Sequence, residues 1–181
     1  MPAEAPDRAA LEGRVWAALA AVRDPEIPPC SITDLGIVER VTLTFDAVDL
    51  ELLPTFAGCP ALDAIRQDAE AAVLAVVPDR EVRVRFVYSP AWTSDRISSA
   101  GRAALRAYGI SPPRGRTEAE PAPVLIPIEA VHAAEPRGTC PFCGSDDTAL
   151  ESSFGPTLCR ATHFCRSCRN PFESFKPKLP G

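Results

Sequence analysis

The stretch GIVERVTLTFDAVDLELLPTFAGCPALDAIRQDAEAAVLAVV, residues 36–77, decides the fold because its hydrophobic period changes part-way along. Its first half alternates around Val41, Leu43 and Phe45, and a short turn then leads into the second apolar run, VDLELL. Two alternating runs joined by a turn are typical of a β-hairpin. From about Pro60 to Val77 the apolar residues recur at helical spacing, at Leu62, Ile65, Ala69, Val73 and Val76. The stretch therefore predicts two antiparallel strands followed by a helix.

Further elements are predicted on both sides of this unit. A helix is expected from Arg8 to Arg23, where the apolar residues recur every three or four positions. The proline-rich segment DPEIPP is expected to end this helix and to continue as extended chain. The segment EVRVRFVY (81–88) alternates as a strand with one solvated face does, and a last helix is expected from about Asp95 to Tyr108. The predicted order is α-β-β-α-β-α, an α+β (α/β) domain that spans residues 8–113.

Composition and charge restrict the class of protein. The chain has 181 residues, of which 46% are hydrophobic and 24% charged, as in an ordinary globular protein. Its formal charge of −5 and pI near 5.1 argue against a nucleic-acid partner held by phosphate neutralisation. The sequence contains no signal-like apolar segment and no membrane-spanning run, so a cytoplasmic protein with reduced or metal-bound cysteines is expected.

The C-terminal quarter of the sequence carries a metal-binding pattern. Residues 114–138 are rich in proline, follow no period and are predicted to be a linker before a module at 139–181. In that module Cys140 and Cys143 form one CxxC pair, and Cys165 and Cys168 form another after 21 residues. Two such pairs make a four-sulfur cage for Zn²⁺, and a module this small is expected to need the metal to fold. Iron accepts the same ligands, but zinc is favoured.

Two further residues of this module have open roles. Cys159 precedes Cys165 by six residues, and His163 lies between them. Cys159 is either a small buried hydrophobe or, together with His163, an exchangeable ligand or second-metal contact.

Cys59 stands alone between Gly58 and Pro60. Because proline suits the first position of a helix, Cys59 is predicted at or near the helix N-cap. Unpaired N–H groups and the positive end of the helix dipole would favour a thiolate there. The alternative is a buried cysteine that serves only in packing.

Three motifs give the sequence a family resemblance. DPEIPPCSITDLGIV (24–38), PTFAGCPA (54–61) and SPAWTSD (89–95) resemble the motifs of the SufT-like iron–sulfur assembly domain family. SPAWTSD joined to a ribbon that contains CPFCGS and FGPTLCRATHFCRSCRNPFESFKP is similar to the PaaD family, accessory proteins of the bacterial phenylacetyl-CoA epoxidase system. The resemblance covers nearly the whole chain apart from the linker.

The resemblance implies a maturation role without catalysis in aerobic phenylacetate degradation. The client would be the epoxidase complex, through its iron–sulfur flavin reductase, its di-iron oxygenase or both. In this reading Cys59 holds iron or a [2Fe–2S] or [4Fe–4S] cluster transiently, and the ribbon docks on a partner. One cysteine cannot supply all the ligands of a stable cluster, so the cluster would be shared, which makes a homodimer attractive.

The same motifs supply supporting residues. Asp24, Glu26 and Asp34 are expected in loops that converge near Cys59. The alternative for each of them is a side chain that stabilises its own turn by hydrogen bonds. The remaining candidates lie near the last helix or after the two prolines. Thr93 and Ser94 are predicted as helix caps, Trp92 as a docking anchor or a core residue with docking favoured, and Cys30 as packing rather than a second cluster thiol.

Two other functions compete with this reading. The first is a structural subunit of the oxygenase complex in which Cys59 is inert. The second is a thiol enzyme, which needs a base near its nucleophile. The only histidines are His132 in the linker and His163 in the ribbon, so the second alternative is disfavoured.

Overall fold

The computed structural model describes residues 8–113 and 138–175. By contacts, the described chain divides into two units. The first holds residues 8–92 and 96–101, and the second holds 93–95, 102–113 and 138–175. This division falls inside the last helix, and the functional boundary after residue 113 stays a prediction. The predicted linker lies outside the described residues, apart from Gly138.

The first unit is built on a three-stranded mixed sheet. It contains α1 (Arg8–Ala21), β1 (Arg23–Asp24), β2 (Ile27–Ser31), β3 (Val38–Leu43), β4 (Ala47–Leu52), α2 (Leu62–Leu74) and β5 (Glu81–Phe86). β3 and β4 form the predicted antiparallel hairpin, and β5 pairs parallel to β4. A parallel pair needs a crossover connection, and α2 supplies it. The α+β fold class is confirmed.

The core of this unit lies where the helices meet each other and the sheet. α1 buries Leu11, Val15 and Leu19, and α2 buries Ile65, Ala69 and Val73, as their periodicity predicts. On the sheet side the central strand β4 buries its apolar side chains, which are Ala47, Val48, Leu50 and Leu52. β5 is an edge strand, and Val82, Val84 and Phe86 on its inner face are only half-buried.

Several local expectations need correction. The segment predicted only as an extended exit pairs into a small antiparallel ribbon, β1 with β2. The last helix is split into a 3₁₀ turn (Ser94–Arg96) and α3 (Ser99–Ala107). Phe45, which continues the predicted alternation of Val41 and Leu43, lies at the tip of the hairpin and is 96% exposed.

The second unit is a four-stranded sheet. β6 (Ile110–Ser111), β7 (Thr148–Ser152), β8 (Arg160–Cys165) and β9 (Pro171–Phe175) lie in the order β6-β9-β8-β7. β7, β8 and β9 form an antiparallel ribbon, and β6 adds to it in parallel with β9. None of the helices in the described parts of the chain combines the length and apolar character that crossing a membrane requires.

Candidate functional site

The two CxxC segments fold into matching tight turns. In the first, the Gly144 N–H donates to the Cys140 carbonyl at 2.9 Å, and Gly144 has a φ of 74°. In the second, the Arg169 N–H donates to the Cys165 carbonyl at 2.9 Å, and Arg169 has a φ of 60°. A residue in the left-handed region reverses the chain directly after each second cysteine. Each turn thereby directs two sulfur atoms to the same side.

The four sulfur atoms converge on one point. All of them lie within 4.8 Å of one another, and the pairs Cys140–Cys168 and Cys143–Cys165 are 3.6 Å apart. Tetrahedral Zn²⁺ with Zn–S bonds of about 2.3 Å needs sulfur–sulfur distances of about 3.8 Å. The donor set and spacing therefore fit a closed, structural zinc site with four thiolate ligands.

The pKa values of two of the four thiols are shifted in opposite directions. The Asn170 backbone N–H is the main cause that lowers the pKa of Cys168, to about 7. A hydrogen bond from the Ser145 backbone lowers the pKa of Cys143, but burial and the neighbouring thiols outweigh it and raise that pKa to about 12. Four thiols this close cannot all ionise unless a bound cation compensates the charge.

The other candidates in the ribbon are not ligands of this site. His163 is 1% exposed, stacks on Phe172 with ring centroids 5.4 Å apart, and its Nε2 lies 2.8 Å from the Ser174 hydroxyl. Cys159 precedes β8 while Cys165 ends it, so the two are separated by about 20 Å along the strand. The Cys159 sulfur lies 3.2 Å from the Thr157 hydroxyl.

Cys59 lies in the turn between β4 and α2. Its N–H donates to the Phe56 carbonyl at 3.1 Å, and its carbonyl accepts from the Leu62 N–H at 3.4 Å. α2 begins at Leu62 with Ala61 as N-cap, so Cys59 lies near the N-cap, two residues before it. The side chain is half-buried, so the thiol is not sealed in the core.

Gly58 allows the Phe56 ring to fold over this turn. A β-carbon on Gly58 would lie 3.2 Å from a ring carbon of Phe56, a contact tighter than side chains normally tolerate. Phe56 remains 41% exposed. The Cys59 turn therefore presents a half-buried sulfur and an aromatic ring on one short loop.

The acidic residues are engaged in their own loops. The Asp24 carboxylate accepts hydrogen bonds from the Glu26 and Ile27 N–H groups, at 2.8 and 3.0 Å. These bonds stabilise the turn that follows Asp24. Asp34 forms a reciprocal capping pair with Ser31, since each side chain bonds the other's backbone N–H, at 3.0 and 3.3 Å. In residues 8–113 and 138–175 Cys59 belongs to no group of three or more ligand atoms within 4.8 Å of one another, and the convergence of Asp24, Glu26 and Asp34 near it stays a prediction.

The predicted caps and docking anchor need correction too. The hydroxyl that caps the start of α3 is that of Ser98, not that of Thr93 or Ser94. It accepts a hydrogen bond from the Gly101 N–H at 2.9 Å. Trp92 is 3% exposed and its indole N–H donates to the Leu35 carbonyl at 2.8 Å, so it is a core residue and the docking prediction is wrong. Cys30 is buried, and burial raises its pKa to about 11, which supports the packing role predicted for it.

Comparison with known proteins covers both parts of the chain. Residues 12–86 match the family described as iron-sulfur cluster assembly protein, and residues 127–176 match the PaaD zinc beta ribbon domain. A protein of Escherichia coli (strain K12), which is named as a component of 1,2-phenylacetyl-CoA epoxidase, is 39% identical over 167 residues, which cover 90% of each chain. The chain belongs to the PaaD family.

Other relatives match only the first part of this PaaD-family chain. The Fe-S protein maturation auxiliary factor YitW of Bacillus subtilis is 30% identical over 53% of this chain and 94% of its own length. A DUF59 domain from Bacillus anthracis matches in structure with a TM-score of 0.50 and 32% identity, over 54% of this chain and 92% of that one. The PaaD-family chain thus joins an iron–sulfur assembly domain to a zinc ribbon.

Sequence reasoning missed the residues that hold the family motifs together. The Ser98 hydroxyl donates to the Asp34 carboxylate at 3.0 Å, and the Arg96 guanidinium donates to the Gly36 carbonyl at 3.0 Å. Gly36 has a φ of 64°, and a β-carbon there would lie 2.5 Å from the Arg96 carbonyl oxygen. In the sequence, the glycine of DLG was the signal for this contact, because a glycine at such a position indicates a close approach that a side chain would block.

Proposed function

We propose that this chain is a non-catalytic accessory factor that helps to assemble the iron centres of a phenylacetyl-CoA epoxidase complex. The proposal is supported by the epoxidase name of the Escherichia coli relative and by the Fe-S maturation names of the relatives of the first domain. The client proteins would be the iron–sulfur reductase, the di-iron oxygenase or both.

The position of Cys59 carries the mechanism of this proposal. A thiolate is a soft ligand that binds iron and iron–sulfur clusters. Cys59 offers one sulfur from a turn that is half-open to solvent, between a strand and a helix that hold its backbone on both sides. Cargo held through one protein sulfur needs further ligands from a client, a second copy or a small thiol. Such incomplete coordination favours transfer over storage.

The zinc ribbon has a different role in this proposal. Its four ligands close the coordination sphere of the metal, so no open position remains for substrate or water. The metal would act by folding the ribbon, and the ribbon would dock on a partner.

A thiol enzyme is not favoured by the described structure. A cysteine nucleophile needs a base within hydrogen-bond reach. His163 belongs to the ribbon, is almost fully buried and interacts with Ser174. The competing hypothesis is therefore that the chain is a structural component of the complex and that Cys59 is inert.

Co-expression separates these two readings. The epoxidase proteins are produced with the wild-type chain, with Cys59→Ser, with Cys159→Ser or without the chain. We expect active epoxidase with the wild type and with Cys159→Ser, and a loss of activity with Cys59→Ser although that variant is folded and binds zinc. Full activity with Cys59→Ser would contradict the delivery role of Cys59 and favour a structural component in which Cys59 is inert.

A further inference from the structure

We propose that a basic pocket at the tip of the β3–β4 hairpin binds an acidic segment of the epoxidase assembly. The pocket has a volume of about 290 Å³ and is lined by Arg8, Leu11, Leu43, Thr44, Phe45 and Arg80. This inference rests on the proposed function, because it names the surface through which the accessory factor would recognise its client.

The two arginines of the pocket form no ion pair within the described chain. The Arg80 guanidinium donates to the Thr44 carbonyl, and neither Arg8 nor Arg80 has a carboxylate within 4.0 Å in the described ranges. The arginines on the exposed face of the sheet differ, because Arg83 and Arg85 are paired with Glu81 and Glu51. Two guanidinium groups without an ion-pair partner favour an anionic group from outside.

The apolar part of the pocket limits the kind of partner. Leu11 and Leu43 are buried beside the two arginines, whereas the Phe45 ring is 96% exposed at the hairpin tip. An exposed aromatic ring next to cationic groups is typical of the anchor residues of protein interfaces. The volume suits one or two side chains, so an acidic residue with an apolar neighbour fits best. The net charge of −5 disfavours nucleic acid as the partner.

The pocket is separate from the Cys59 turn. It lies where β3 ends and where β4 and β5 begin, while Cys59 follows the other end of β4. Six strand residues correspond to about 20 Å. Docking at one end of the sheet would leave the sulfur at the other end open for transfer, and the two functions are separable by mutation.

The test measures the affinity of the zinc-loaded full chain for purified epoxidase complex. The double variant Arg8→Glu/Arg80→Glu is compared with Arg66→Glu/Arg83→Glu, which changes the net charge equally on other surfaces of the same unit. We expect the pocket variant to bind at least about tenfold more weakly and to lose much of the salt dependence of binding, with the control within about twofold of wild type. Phe45→Ser is expected to weaken binding several-fold with the salt dependence kept.

The outcomes distinguish this proposal from the proposed function. Equal binding by wild type and pocket variant overturns the pocket but leaves the accessory role intact. Displacement of the complex by a single-stranded oligonucleotide also overturns the pocket as a protein site. A wild-type chain that does not bind the complex overturns both. Zinc content and alkylation of Cys59 are measured on each variant, and their retention shows that a loss of binding is not a loss of folding.

Discussion

The carbonyl oxygen of Asp34 lies 2.6 Å from the point where a β-carbon on Gly101 would stand. Backbone therefore meets backbone where the loop after β2 contacts the first turn of α3. The Asp34 carbonyl also accepts from the Ser98 N–H at 2.9 Å, and the Cys30 sulfur lies 3.8 Å from the Gly101 carbonyl. The DLG motif is thus held against the start of α3 by close packing as well as by hydrogen bonds.

This contact predicts that a methyl group at residue 101 strongly lowers the stability of the fold. We expect Gly101→Ala to lower the free energy of unfolding by about 2–4 kcal/mol, because the overlap with the Asp34 carbonyl forces the helix to move. Gly13→Ala is the matched control. Gly13 lies inside α1 with open space around it, so alanine there is expected to stabilise by about 0.5–1 kcal/mol. Urea unfolding measures both, and wild-type stability of Gly101→Ala would contradict the close contact.

Asp34 predicts a pH dependence of stability. Burial raises the pKa of its carboxyl, but hydrogen bonds from Ser31 and Ser98 outweigh it and hold the pKa below its ordinary value. A lowered folded-state pKa contributes stability above the unfolded pKa of about 3.9, and this contribution is lost as the pH falls through the folded value. Asp34→Asn is therefore expected to cost about 1–2 kcal/mol at neutral pH and progressively less below pH of about 4. A cost that is the same at acidic and neutral pH would contradict this assignment.

The long elements of the fold could be predicted because their signals are local. The apolar spacing in α1 and the alternation in β3 and β4 depend only on which side of each element faces the core. β1 and β2 were missed because Pro28 and Pro29 interrupt any alternation, although both prolines are exposed in the strand. Phe45 was misplaced because its alternation continues past the last paired residue of β3.

The metal site could be predicted in full, whereas the motif loops could not. Two CxxC turns encode their geometry within four residues each, and only their mutual approach depends on the fold. Trp92 and Ser98 instead find their partners 57 and 64 residues away in the chain, at Leu35 and Asp34. Spacing in a sequence carries no record of such contacts, so burial of Trp92 could not be read from it.

The ribbon is expected to depend on zinc. We predict one bound zinc per chain and loss of the β7–β9 fold when a strong chelator removes it, because the four thiols line a site that needs a cation. Cys143→Ser is expected to lower zinc affinity strongly, while Cys159→Ser retains full zinc content. Zinc release followed with a colorimetric chelator, together with circular dichroism, measures both effects. A ribbon that keeps its structure without metal would contradict the prediction.

The thiols outside the zinc site are expected to differ in reactivity. Cys30 is fully buried with a pKa near 11, so only about one molecule in ten thousand carries its thiolate at pH near 7. Cys59 is half-buried in a turn and is expected to react with substoichiometric iodoacetamide before Cys30 does in the zinc-loaded protein. Peptide mapping by mass spectrometry identifies the labelled residue. Labelling of Cys30 as fast as Cys59 would show that this part of the core opens readily.

The most direct test of the delivery role measures iron transfer itself. The wild-type chain, Cys59→Ser and Cys159→Ser are each loaded with iron and sulfide without oxygen, desalted and mixed with iron-free epoxidase proteins. If Cys59 is the transient ligand, the wild type and Cys159→Ser transfer iron to the client and Cys59→Ser transfers none. Transfer by Cys59→Ser at the wild-type rate would contradict the role proposed for this sulfur.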